Sequence, residues 1–143
     1  MPYEIKDPAG ERSAKSAMLR GLRGRCPRCG EGRIFGRYLK VNEECSACGE
    51  ALYHHRADDA PPYVVITVVG HIVVGLALAM ERSLQPDLWI HMMIWAPLTL
   101  LLSLLMLQPV KGALIGMQWA FKMHGFDPES PEAQEPPPSL AAS

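Results

Sequence analysis

All four cysteines of this chain lie in two copies of one short pattern, CPRCG at 26–30 and CSACG at 45–49. In a C-x-x-C turn both thiolates reach one metal ion, and the following glycine, Gly30 or Gly49, can adopt the positive φ that closes the turn. Fifteen residues separate Cys29 from Cys45. That spacing brings Cys26, Cys29, Cys45 and Cys48 into one tetrahedral sulfur shell, which favours zinc. Four sulfurs leave no open coordination position, so the expectation is one structural zinc per chain and no catalytic metal. A rubredoxin-like iron centre and a pair of disulfides are the alternatives. Arginines beside the first knuckle, Arg25 and Arg28, favour reduced ligands in a cytosolic setting.

Between the knuckles, GRIFGRYLKV suits two short strands with Ile34, Phe35, Tyr38, Leu39 and Val41 as apolar contacts. So small a ribbon buries little surface, and metal binding must supply much of its folding free energy. The ribbon is placed at 18–53, after a polar, flexible segment at 1–17. Within AMLRGLRGR, residues 17–25, apolar side chains alternate with arginines. This is either a short basic helix on anionic headgroups or a solvated lead-in.

The remainder is a membrane protein in outline. Residues 63–80 and 88–107 are apolar runs, joined by the polar turn ERSLQPD. Eighteen helical residues rise about 27 Å, close to the thickness of a hydrocarbon core. Eleven Lys and Arg precede the first run, one (Arg82) lies in the turn, and two (Lys111, Lys122) follow. The positive-inside rule then puts both termini and the ribbon in the cytoplasm. The expected fold is mainly α: a two-helix transmembrane hairpin over 63–107 with an N-terminal four-cysteine zinc ribbon. A C-terminal interfacial amphipathic helix is expected over 108–126, with Val110, Leu114, Met117 and Phe121 on its apolar face. The acidic, proline-rich end, 127–143, reads as disordered. The same basic residues can serve nucleic acid, but beside a membrane anchor they have a topological reason, so no nucleic-acid partner is expected.

Two further clusters are candidates for function. His54, His55, Asp58 and Asp59, in the linker 54–62, form an HHxxDD pattern that either binds a second cation or caps the coming helix. His71 is an ionisable group near mid-membrane, a functional candidate by default. It lies about 12 Å from the inner end of its helix and His91 about 5 Å from the outer end of its own. The two therefore differ in height by about 10 Å in a 30 Å core, so one ion does not join them. His71 is level with Pro97 to Thr99. Its expected roles are a bond to Thr99 or to the Met93 carbonyl freed by Pro97, a haem or copper role with a partner, or proton handling. The small and polar rows Thr67, His71, Gly75 and His91, Trp95, Thr99, Ser103 are expected to face each other.

The order of LRGLRGRCPRCGEGRIF (19–35), CSACGEAL (45–52), RADDAPPY (56–63) and VGHIVVG (69–75) resembles a bacterial membrane family, domain of unknown function number 983. The resemblance covers roughly residues 17–126. It implies a zinc-ribbon-like protein with two membrane spans. The matched positions are the four cysteines, Asp58, Asp59 and His71, with no catalytic residue assigned. Genes of the family accompany those for cytochrome oxidase subunits and assembly factors. The resemblance thus implies an inner-membrane accessory or assembly factor for haem–copper oxidase, not an enzyme, with a membrane-protein partner or a second copy of itself beside it. The alternative is a membrane-bound metal, redox or enzymatic protein using His54, His55, Asp58 and Asp59, or His71. No serine nucleophile motif, phosphate loop or paired catalytic carboxylates supports that alternative.

Overall fold

The computed structural model describes residues 4–7, 10–55 and 59–141. Two strands, β1 (Glu4–Asp7) and β2 (Gly10–Ser13), pair antiparallel with Glu4 opposite Ser13 and Asp7 opposite Gly10. Three helices follow, α1 (Ala14–Leu22), α2 (Ala60–Leu84) and α3 (Leu88–Ala120). The paired strands lead directly into the first turn of α1.

Helix α1 ends by design of its last residues. Gly24 takes φ +70°, its N–H bonds the Gly21 carbonyl at 2.8 Å, and the Arg25 N–H bonds the Arg20 carbonyl at 2.9 Å. This pair of bonds is the Schellman stop, which turns the chain straight into Cys26. The ribbon pairs at single bridges: Arg25–Arg33 across the first knuckle, Glu44–Ala51 across the second, and Phe35–Val41 between them, where two short strands were expected.

Helices α2 and α3 are both long and apolar enough to cross a membrane. Their outward faces leave large side chains uncovered, among them Ile66, Leu78, Met93 and Leu101. They meet through one row of α2, Pro61, Val65, Val69, Val73 and Ala77, spaced four apart and covered by α3. That row fixes the rotation of α2. It turns Thr67, His71 and Gly75 outward while His91, Trp95, Thr99 and Ser103 face the seam with Val73 and Ala77. The two polar rows therefore do not face each other, as the sequence had suggested.

A larger correction concerns residues 108–126. The expected separate interfacial helix is the last third of α3, which runs unbroken through Pro97 and Pro109 to Ala120. A proline removes one N–H, and this helix continues because packing on both sides of Pro109 holds it. Tyr38 donates its hydroxyl to the Leu104 carbonyl, and Lys111 Nζ donates to the Leu39 carbonyl at 3.1 Å. The buried face also differs from the expected one. Gly112, Ile115, Gly116, Trp119 and Ala120 are buried, whereas Phe121 is exposed.

The cause is α1, which packs antiparallel on this part of α3. A Cβ at Gly21 would overlap the Gly112 carbonyl, one at Gly112 would overlap that of Gly21, and one at Gly116 would overlap that of Ala17. Small residues four apart on both helices bring the backbones into contact, and bulkier neighbours close around them. Ala17, Ile34, Phe35, Ile115, Trp119, Ala120 and Phe126 make one core, shared by α1, the ribbon and the end of α3. Beyond it, 3-10 turns at His124–Phe126 and Pro131–Gln134 and a short turn of helix at Pro138–Ala141 follow. Within this last stretch, Ser139 Oγ donates to Glu43 at 2.7 Å.

Candidate metal centre

Each knuckle is closed by the same backbone bond. The N–H of Gly30 reaches the Cys26 carbonyl at 2.9 Å, and the N–H of Gly49 reaches that of Cys45 at 2.9 Å. Gly30 and Gly49 take φ +75° and +71°, the left-handed turn that only glycine adopts without strain. The Cys26 N–H then closes on Gly32, and the Cys45 N–H on Glu50. Both loops aim their thiols at one point.

The four sulfur atoms converge. Cys26 Sγ lies 3.8 Å from Cys48 Sγ and Cys29 Sγ 3.7 Å from Cys45 Sγ, and all four fall within 4.8 Å of one another. A zinc–sulfur distance of about 2.3 Å gives a tetrahedron with an edge of about 3.8 Å. The four cysteines are therefore placed to hold one metal ion. Cys26 and Cys45 are buried, with Leu52 beside them, and Cys29 and Cys48 are half-buried.

The thiols differ electrostatically. Burial pushes the Cys26 thiol up, and burial also raises Cys48. The backbone N–H of Gly32, with that of Glu31, lowers Cys29 to about 6. Glu31 N lies 3.4 Å from Cys29 Sγ. Such donors stabilise thiolate charge and so prepare the sulfur for a cation.

Several residues that hold this site carried no obvious signal. Gly32 is one: a Cβ there would overlap Cys45 Sγ. Arg20 of α1 donates to the carbonyls of Pro27 and Arg28 at 3.1 and 3.0 Å and so grips the first knuckle. Glu50 receives Trp119 Nε1–H at 2.9 Å and Arg28 at 3.1 Å, tying the second knuckle to α3 and to the first. The position of Glu50, directly after Gly49, was the available hint. Its partner 69 residues away was not legible.

The other candidates do not join this centre. Asp58 lies outside the described residues. Asp59 occupies the N-cap position of α2 without a side-chain cap bond, and Pro61 and Pro62 fill the first turn. The His55 ring Nδ1 lies 2.9 Å from the Leu52 carbonyl, and the His54 ring packs on Tyr53 and Phe126. Among the described residues, the four cysteines are the group with ligand atoms near enough to share an ion.

His71 bonds neither Thr99 nor Met93. Its Nδ1 lies 2.6 Å from the Thr67 carbonyl in its own helix. A carbonyl only accepts, so Nδ1 donates this bond. Thr99 bonds the Trp95 carbonyl instead. His91 accepts at Nδ1 from Trp95 Nε1–H and meets Glu81 through Nε2, both at 3.0 Å.

A family model described as protein of unknown function (DUF983) matches residues 35–119, a stretch holding Cys45, Cys48, α2 and nearly all of α3. Cys26 and Cys29 precede the matched stretch. No curated protein matches the chain, and no solved structure does.

Proposed function

We propose a role from the premise that this chain belongs to the protein family of unknown function DUF983: it is a two-span membrane protein whose zinc-loaded head serves as a non-enzymatic docking or assembly element. The observation that carries this reading is the shared core. Helix α3 runs from an uncovered apolar segment directly into the head, where Trp119 bonds Glu50 beside the second knuckle. A soluble protein does not leave two long helices with so large an apolar surface bare, and lipid is the solvent that suits them. Within the apolar eighteen-residue window of α3, none is buried.

Four sulfurs satisfy zinc completely, so the ion staples and does not react. Zinc suits the donor set better than iron because it needs no redox protection on a cytosolic face. With eleven basic residues before α2, the head lies on the cytoplasmic side of a bacterial inner membrane. The resemblance to the family adds the partner, a haem–copper oxidase under assembly.

Purification of the whole chain in mild detergent, with metal analysis, tests the reading. One zinc per chain is expected, lost in Cys26→Ser together with the protease resistance of the head. Iron, or no metal in the folded protein, overturns the zinc assignment. Deletion of the gene is expected to lower assembled haem–copper oxidase, and unchanged oxidase levels overturn the assembly role.

A further inference from the structure

A cavity of about 260 Å³ opens where α1 meets α3, lined by Leu22, Arg23, Gly24, Leu105, Gln108 and Pro109. Its height follows from the α1–α3 seam. Gly21 touches Gly112, and α1 runs antiparallel, so Arg23 reaches the level at which the long apolar run of α3 ends. On another side of α3, Tyr38 bonds Leu104 and Leu39 is held by Lys111, so the loop carrying Arg37 and Lys40 stands at the same level.

The charges there have no answer within the described residues. Arg20, Arg25 and Arg28 are spent on Pro27 and Arg28, on Glu31, and on Glu50. Arg23, Arg37 and Lys40 are exposed and make no side-chain bond among the described residues, and neither does Gln108. Next to them, Leu19, Leu22 and Leu105 are left at 47%, 47% and 63% exposure. Cationic and amide donors at the rim with bare leucines below are complementary to one molecule type. That molecule has an anionic phosphodiester joined to acyl chains.

We infer that this cavity is a binding site for one anionic phospholipid, with Arg23 and Gln108 on the phosphodiester and Leu22 and Leu105 against the acyl chains. The inference rests on the membrane reading above and adds a specific ligand to it. The site locks α1 against α3 at the bilayer surface and so links headgroup charge to the seating of the metal-bearing head.

Native mass spectrometry of the detergent-solubilised chain, titrated with phosphatidylglycerol or phosphatidylcholine, tests it. One retained phosphatidylglycerol per chain is expected, preferred over phosphatidylcholine. Arg23→Gln should weaken it roughly fivefold, the worth of one basic residue at an anionic surface. Lys15→Gln, eight residues away and about 12 Å along α1, should leave it unchanged. Unaltered metal content in both variants establishes that the head is folded. Equal retention of the two lipids, or equal losses from Lys15→Gln and Arg23→Gln, overturns the site in favour of a diffuse basic surface. Displacement of the lipid by soluble glycerol phosphate at equal concentration overturns the lipid assignment in favour of a free phosphate. Carbonate extraction of native membranes separates the two levels. A chain that stays in the membrane yet shows no lipid preference sinks this inference alone, and a chain released by carbonate sinks the membrane reading with it.

Discussion

Replacing Gly112 with alanine sets two effects of opposite sign against each other. In a helix with free surroundings, alanine is favoured over glycine by about 1 kcal/mol. At Gly112 the new methyl would overlap the Gly21 carbonyl oxygen, stand 2.9 Å from its carbon and meet the Phe35 ring at 3.4 Å. The first two are backbone atoms of α1, so no rotamer change relieves the clash and the helix itself must retreat. Retreat opens the seam that buries Ala17, Ile115 and Trp119. Overpacking of this kind costs about 1–3 kcal/mol, which outweighs the propensity gain and makes the substitution destabilising. Gly70→Ala and Gly75→Ala are the controls, because a Cβ at either position meets nothing within 4 Å. Denaturant titration in detergent micelles, with metal release as the readout, should give a lower midpoint for Gly112→Ala. The controls should be unchanged or slightly raised. A Gly112→Ala midpoint that rises with the controls refutes the backbone contact between α1 and α3.

Gly32→Ala should weaken metal binding at least tenfold without altering the helices, since its methyl competes with Cys45 Sγ for space; competition with a chromophoric chelator measures this, and an unchanged affinity contradicts the packing. Metal uptake at pH 7 should release at least two protons, because the Cys26 and Cys48 thiols are raised by burial whereas Cys29, lowered to about 6, is already ionised. Affinity therefore rises with pH, by about a hundredfold or more per unit, and calorimetry in buffers of different ionisation enthalpy counts the protons. An affinity flat between pH 6 and 8 would contradict thiolate ligation. Trp119→Phe removes the bond to Glu50 and should destabilise the head by about 1.5–3 kcal/mol, the worth of a hydrogen bond to a charged group. In a Glu50→Gln background the same change should cost less, and strict additivity would deny the coupling.

What the sequence made legible was local. The knuckle spacing announced a convergence of sulfurs because each C-x-x-C loop closes on its own carbonyl, within a few residues. The apolar runs announced two long helices because their composition suits a membrane span, but not where those helices end. What it hid was rotation about the helix axis and the identity of distant partners. The rise per residue places His71 level with Thr99 along the helices, but the row Pro61, Val65, Val69 decides which way His71 points. Similarly, the bulky apolar face over 110–121 is Val110, Leu114, Met117 and Phe121, which leaves out Ile115, a fully buried residue. Glycines at 112 and 116 carry no hydrophobic signal, yet they mark the buried side because only they admit the α1 backbone. Proline opposes helix continuation, and at Pro109 tertiary contacts from Tyr38 and Lys111 override it.

The uninterrupted course of α3 has a practical and a mechanical consequence. No cut between residues 88 and 120 yields a soluble half and a greasy half, because the sulfur cluster would lose the wall that Ile115 and Trp119 provide for Ile34 and Phe35. The same continuity couples bilayer to head: a tilt of α3 at one end carries through to the four-sulfur knot at the other, with Pro97 and Pro109 the points where the missing N–H bonds let the helix bend.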